Sequence, residues 1–364
     1  MFQNRNWIRI FLLGLTALLI IAKIVALSPS SLEESKSSNT AVDPNTLLQD
    51  DEPTLVPGIP KNRIAEYTID KFQYVSVQNG EKQWRIESDQ AFLYNPEKLV
   101  HSRRVKAYLY DPDGKVTLVT GREAKYFMNK RDLELFGNVK TVFPDGFELD
   151  SEYLRYKPND RHIEIPIQYA VAGAGHQESG QIFRFKSHGL DYKMGQALIK
   201  LPKAVTVILD RNRPQTPETG GVPDSTKIES DHCLINRNTN LAKFTMDPNR
   251  PIKTQFVHIT QPTLFARSRR ADLNYGSFNQ VLQYLTAYED VLIKETGRKK
   301  EESLRYATGG RADFDTRKDI IVLTEFPQAY QDEDTVTGDI ILMHRDTDVI
   351  EVEHSNAFSQ GNQE

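Results

Sequence analysis

The side chains that most often do chemistry are thinly spread in this chain. Its eight histidines are scattered, and none stands a helical turn from another. A single cysteine, Cys233, excludes an intrachain disulfide framework and every multi-cysteine zinc or iron–sulfur site. The phosphate-cradling pattern G-x-x-x-x-G-K-[ST] is absent, and so are G-x-S-x-G and H-E-x-x-H. Asp111-Pro112-Asp113-Gly114 opens like a cation loop, but the later acidic ligands are missing, and D-x-D-G between strands is a hairpin turn. Glycoside hydrolysis needs two carboxylates roughly 5–9.5 Å apart, and no acidic position recurs along the chain. The sequence therefore reads as non-enzymatic, with no catalytic residue, cofactor or metal.

What does recur is apolar. Small residues stand as origins at Ser88, Gly121, Ser151, Ser187, Ser230, Ser268, Gly309 and Gly338, 29 to 43 residues apart. Two positions before each stand Ile86, Val119, Leu149, Phe185, Ile228, Ala266, Ala307 and Val336. Three after come Ala91, Ala124, Leu154, Leu190, Cys233, Ala271, Ala312 and Ile341. Five after come Leu93, Tyr126, Tyr156, Tyr192, Ile235, Leu273, Phe314 and Met343. The chemistry open to such columns is burial of hydrocarbon, at about 0.8 kcal/mol per CH₂. The larger members of the first and last columns are the candidate groove residues. Core packing accounts for the Tyr126, Tyr156 and Tyr192 column as readily as groove lining, because strands favour aromatics anyway. Cys233 falls in an apolar column as a small buried hydrophobe. Asp313 and Asp315 straddle Phe314, so alternation turns them to solvent.

Positions −2 and 0 share one strand parity and +3 and +5 the other, so a straight strand would turn half of its apolar residues outward. A bulge or sharp bend at the origin returns them to one side, and Ser or Gly tolerates the close backbone approach there. A turn and a second short strand follow each copy, as at Leu133–Phe136, Ile163–Ile165 and Ile320–Leu323. The expected fold is all-β: bent antiparallel hairpins stacked along one axis around an apolar interior. The longest interval between origins contains a proline- and glycine-rich stretch, 211–225, read as the linker between domains 61–210 and 226–364. No stretch of the body holds a helical period for three turns.

The N-terminal end differs. Ile10–Leu27 is apolar except for Lys23 and about 27 Å long as a helix, enough to span a hydrocarbon core. Arg5 and Arg9 precede it, which predicts residues 1–27 as an anchor with a cytoplasmic N-terminus and an exported body. A cleaved signal peptide ending near Ala26 is the competing reading, and it also exports the body. Residues 28–60, rich in Ser, Asp, Glu and Pro, read as a flexible stalk. With 46 basic and 50 acidic side chains there is no electrostatic case for nucleic-acid binding.

The runs Gly121-Arg-Glu-Ala-Lys-Tyr-Phe-Met, Leu133-Glu-Leu-Phe-Gly-Asn-Val139, and Gly310-Arg-Ala-Asp-Phe-Asp with Ile320–Leu323 resemble the lipopolysaccharide-export bridge proteins. The first half resembles the inner-membrane component LptC, and the second the soluble component LptA. That resemblance implies two open β-jellyroll domains, of the kind also called OstA-like. It implies lipopolysaccharide acyl chains held in the groove, an inner-membrane ABC transporter as a partner, and a periplasmic body. The last apolar strand, Val349, Ile350, Glu351 and Val352, precedes a polar tail. Its free edge is the expected place for strand addition by a further bridge subunit or an outer-membrane acceptor. Three classes follow: a lipid conduit, a non-enzymatic envelope scaffold with a filled β core, and, ranked last, a carbohydrate-active β-solenoid.

Overall fold

The computed structural model describes residues 54–359 except 55, 58, 60–64, 79, 112, 177–181, 212–223, 276–281, 296–304, 316–317, 332–333, 346 and 348. The anchor segment Ile10–Leu27 lies outside the described residues, among which no helix is long and apolar enough to cross a membrane.

The described chain is all-β. Its first eight strands are long: β1 (Tyr67–Gln78), β2 (Glu81–Tyr94), β3 (Leu99–Tyr110), β4 (Val116–Phe127), β5 (Leu133–Val142), β6 (Glu148–Lys157), β7 (His162–His176) and β8 (Ile182–Lys193). Shorter strands then come mostly in pairs: β9 (Leu198–Leu201) with β10 (Val205–Arg211), β11 (Asp224–Ser230) with β12 (His232–Asn236), β13 (Leu241–Thr245) with β14 (Val257–Gln261), and β15 (Leu264–Ser268) with β16 (Arg270–Tyr275). After the unbroken β17 (Leu282–Glu295) and β18 (Arg305–Asp315) come β19 (Ile320–Thr324) with β20 (Gln328–Gln331), β21 (Asp334–Thr337) with β22 (Ile340–His344), and β23 (Ile350–Glu353) with β24 (Asn356–Ser359).

The pairing explains the grouping. Strand β8 pairs with β10 through Ile182–Lys186 and with β9 through Asp191–Lys193, so β9 and β10 are two halves of one bent pass. Each later pair behaves alike. The result is 17 antiparallel passes, each hydrogen-bonded only to the passes before and after it, folded lengthwise along a crease into two wings.

The eight sequence copies are the even-numbered passes, and their origins lie on the crease. The hydroxyls of Ser88, Ser151, Ser187, Ser230 and Ser268 each donate to the carbonyl two residues on, at 2.8–3.1 Å. The side chain thereby satisfies a carbonyl that the bend takes out of the ladder. At Gly338 a Cβ would stand 2.5 Å from Val352 Cγ1 and 2.7 Å from the Glu353 carbonyl, so the neighbouring pass fits only against a bare backbone. On odd passes the bend is made differently. Lys71, Arg104, Asn138, Ala204, Asp290, Phe326 and His354 take left-handed φ values of 48–60°, a conformation costing on the order of 1–3 kcal/mol for a residue with a side chain.

The expected linker 211–225 is overrun at both ends by β10 and β11, which pair directly from Val205↔Ser230 to Arg211↔Asp224, while β9 pairs with β12. Both wings therefore run unbroken past it, and one apolar cluster extends from Trp84 to Met343.

Two expectations are corrected. The stalk 28–60 does not stay free to its end: Val56 is 3% exposed against the outer-face pair Phe136 and Tyr153. Beside it, Thr54 Oγ1 donates to Glu123 Oε2 at 2.6 Å, and the same oxygen meets His101 Nε2 at 2.7 Å. The C-terminal tail is also not strandless. His354 turns the last pass through the crease, and β24 continues it along β21, from Asp334↔Ser359 to Thr337↔Asn356. Val349 lies outside β23 and is 46% exposed.

Candidate functional site

The inner faces of the wings form two lateral rows, built by register rather than by contiguous sequence. On the wing before the crease of each even pass the row runs Tyr74, Ile86, Ala107, Val119, Thr141, Leu149, Gly173, Phe185, Val207, Ile228, Ile259, Ala266, Ile293, Ala307, Ala329, Val336, each directly paired with the next. On the other wing it runs Tyr67, Leu93, Val100, Tyr126, Leu133, Tyr156, Ile163, Tyr192, Ile199, Ile235, Ala242, Leu273, Leu285, Phe314, Ile321, Met343, Ile350. Every residue of this second row is apolar or aromatic. At about 4.8 Å between passes the row follows some 77 Å of sheet.

All 14 candidate groove residues lie on these rows. Twelve are buried; Leu93 and Val336 are half-buried, near the ends of the sheet. The odd-pass members, such as Ala107, Val207, Ile259 and Ile293, escaped the sequence reading because no small-residue origin marks their passes. Beside the first row, Trp84 is fully buried with its indole N–H unpartnered among the described residues, and so is the Thr141 hydroxyl within the row. At Gly173 a Cβ would stand 2.7 Å from Phe185 Cζ and 2.8 Å from Phe147 Cζ, so aromatic rings occupy the space that a side chain would fill.

Burial pushes the Tyr156 phenol up to about 12, and burial together with the Tyr74 contact pushes Tyr126 higher still. Burial likewise raises the Cys233 thiol. These groups stay neutral and serve as apolar surface. Asp111 and Gly114 close a hairpin turn, the Gly114 amide donating to the Asp111 carbonyl at 3.1 Å and Asp111 Oδ1 accepting from the Lys115 amide at 2.7 Å. Among the described residues no group of three or more His, Cys, Asp or Glu is placed to hold a metal ion.

The mouth opposite the crease is bridged at three points. Near the first passes Trp84 meets Tyr126 of the other wing edge-on, centroids 4.9 Å apart. Midway, Phe143 meets Tyr192 edge-on at 5.6 Å, and Arg237 is paired with Asp145 in the turn between Phe143 and Phe147. Burial alone would lower the Arg237 pKa, but Asp145 and the Tyr192 hydroxyl reverse the shift and raise it. Near the last passes Arg345 reaches across to Glu295 at 2.9 Å, Gln261 at 3.0 Å and Thr263 at 3.2 Å, and on its own side to Asp319 at 3.1 Å. None of these polar groups has a sequence signal, since each pairs with a residue at least 50 positions away or in another rim turn.

The rows come to the surface at the ends of the sheet. Tyr67 and Tyr74 on β1 are 59% and 39% exposed. At the other end a cavity of about 530 Å³ opens among Ala329, Val336, Ile350 and Val352, with Gln331, Asp334 and Ser355 at its polar side. Among the described residues β1 pairs only with β2, and β23 only with β22, so each end of the sheet carries a free ladder edge.

Comparison with known proteins divides the chain where the longest interval lies. Residues 45–210 match the family described as lipopolysaccharide-assembly, LptC-related. Residues 224–349 match the LptA/(LptD N-terminal domain) lipopolysaccharide transport protein family. Among solved structures, the chain aligns with LptH of Pseudomonas aeruginosa, an LptA-homologous periplasmic component of the lipopolysaccharide transport device, over 37% of this chain and 95% of that one, at 11% identity and a TM-score of 0.32. No curated protein matches significantly.

Proposed function

We propose that this chain, a lipopolysaccharide transport protein in which an LptC-related segment runs directly into an LptA/LptD N-terminal-type segment, is a membrane-anchored periplasmic conduit. The observation that carries the reading is the pair of continuous rows, apolar throughout but for Thr141 and Gly173, with no register slip through either row and no break at the junction of the two segments. Acyl chains lie between the wings in what are two open β-jellyroll grooves end to end. Residues 10–27 hold the N-terminus in the inner membrane. The exposed edge of β1 accepts a strand from the side of the ABC transporter, which delivers the lipid. The edge of β23, beside the open cavity, accepts a strand from a further bridge subunit or the outer-membrane acceptor.

The second reading, a scaffold with a filled β core, is favoured by one observation: the rows are almost wholly buried and the mouth is bridged three times. The two readings diverge under photo-crosslinking in cells. A reactive residue at Phe185 or Phe314 captures lipopolysaccharide in a conduit, while Glu87 and Asp313, on the outer faces, do not. Capture from the outer positions alone, with none from the rows, would leave the scaffold.

A further inference from the structure

The three bridges across the mouth are not equally strong, and the difference singles out one of them. Arg345 and Glu295 are buried, their side chains 13% and 7% exposed, and Glu295 is also held by Arg305 at 2.9 Å. The Trp84–Tyr126 contact is likewise inside, at 0% and 7% exposure. By contrast, the middle bridge joins a buried ring contact, Phe143 and Tyr192 at 6% and 7% exposure, to an ion pair in which Arg237 and Asp145 are 33% and 35% exposed. Water and salt screen such a pair, so it is easily broken.

The same middle bridge carries the rings that obstruct the row. Phe147 stacks on Phe185 with centroids 5.9 Å apart and lies 6.3 Å from Phe183. The space that these rings take is the space left by Gly173 and Gly175, where a Cβ would stand 2.8 and 3.1 Å from Phe147. Phe147 itself is only half-buried. It ends a tight turn closed by the Gly146 amide on the Phe143 carbonyl at 3.0 Å, with Gly146 at φ +78°. Finally, the bridge joins the two matched segments: Asp145, Phe147 and Tyr192 belong to the first, Arg237 to the second.

We propose that the Phe143–Phe147 turn is a gate between the two halves of the groove, and that an anionic lipid headgroup opens it by competing with Asp145 for Arg237. With the ion pair made, the rings of Phe147 and Phe185 occupy the lipid path. With Arg237 drawn to a headgroup phosphate, the turn swings outward on Gly146 and acyl chains pass into the second half. The inference rests on the conduit reading and adds to it a control point that neither half has alone.

The test uses the full-length chain in cells that make lipopolysaccharide, with a photo-reactive residue at Tyr156 in the first half or at Phe314 in the second. The gate is locked by Asp145→Cys with Arg237→Cys joined by a short bis-maleimide; the buried Cys233 stays unlabelled. Locking should cut lipid capture at position 314 at least ten-fold and leave capture at 156 unchanged, while the unjoined double variant captures at both. A second variant, Phe147→Leu, keeps the core apolar and should raise capture at 314 relative to 156; thermal melting checks that each variant is folded. Equal capture at 314 in locked and unlocked chains overturns the gate and leaves the conduit standing. No capture at either position in the folded, unlocked chain overturns the conduit and the gate with it.

Discussion

Replacing Arg345 by methionine should loosen the last third of the fold by about 3 kcal/mol. Methionine replaces the apolar stem of the arginine and stops short of the guanidinium, so little apolar packing changes. What goes is a set of four hydrogen bonds, to Glu295, Gln261, Asp319 and Thr263, at 2.9–3.2 Å. The local charges balance in the native chain, Arg345 and Arg305 against Glu295 and Asp319, and the variant leaves one buried negative charge in excess. Breaking a buried pair outright costs about 3–5 kcal/mol. Glu295 keeps Arg305 at 2.9 Å, which holds the figure to the low end. The assay is urea unfolding of Arg345→Met, Glu295→Gln and the double variant, followed as a double-mutant cycle. A coupling energy of about 2 kcal/mol or more is expected, and it should survive 1 M salt because the pair is shielded from solvent. A single-variant loss under about 0.5 kcal/mol, or additive effects, would refute the view that this residue clasps the wings.

Four further outcomes are expected. Ser268→Ala should lower stability by about 1–2 kcal/mol in urea, since a fully buried hydroxyl stops satisfying the Arg270 carbonyl; no change would mean that only small size matters at the crease. For Cys233 the folded thiol pKa is raised by burial, so its contribution is intact below the ordinary thiol range and is lost as pH rises through it. Between about pH 9 and 10 the native chain should lose about 1 kcal/mol relative to Cys233→Ala, and parallel curves would refute the assignment. Ile350→Pro should preserve the circular dichroism spectrum while abolishing partner crosslinking at β23; an intact fold with unchanged crosslinking would place the partner elsewhere. Alkaline carbonate should leave the chain in the membrane pellet through residues 10–27, whereas a released form beginning near Leu27 would mean a cleaved signal.

The even passes were legible in the sequence because each is marked twice, by a small residue at the bend and by apolar residues whose parity switches across it. Ser187 with Phe185, Leu190 and Tyr192 shows the whole rule in eight residues, and the structure buries all four. The odd passes carry no such mark. Their bends are made by Lys71, Arg104 or His354 in left-handed backbone, and charged residues at a bend look like any other surface position. The tail was misread for the same reason: His354 is the bend of the last odd pass. The mouth was invisible for another reason. Asp145 and Arg237 are 92 residues apart, and only the five intervening passes bring their turns together. Val56 was missed because its partners, Phe136 and Tyr153, lie on the outer face, where the alternation predicts solvent.

The meander has a consequence for how the chain comes to be folded. Because a pass needs only its predecessor as a template, nothing that crosses the membrane early must wait for something that crosses late. In the exported conduit proposed above, the chain is delivered from its N-terminus, and the ladder can lengthen in step with delivery, one pass at a time, like a hem stitched as cloth leaves the loom. The exposed edge at any moment is a single strand, and the next few residues to emerge cover it. A fold with strands swapped between its two ends would expose several edges until export finished. The same property makes length an open variable: passes added in pairs keep the crease and the rows in register, which is what joining one bridge segment to another in a single chain requires.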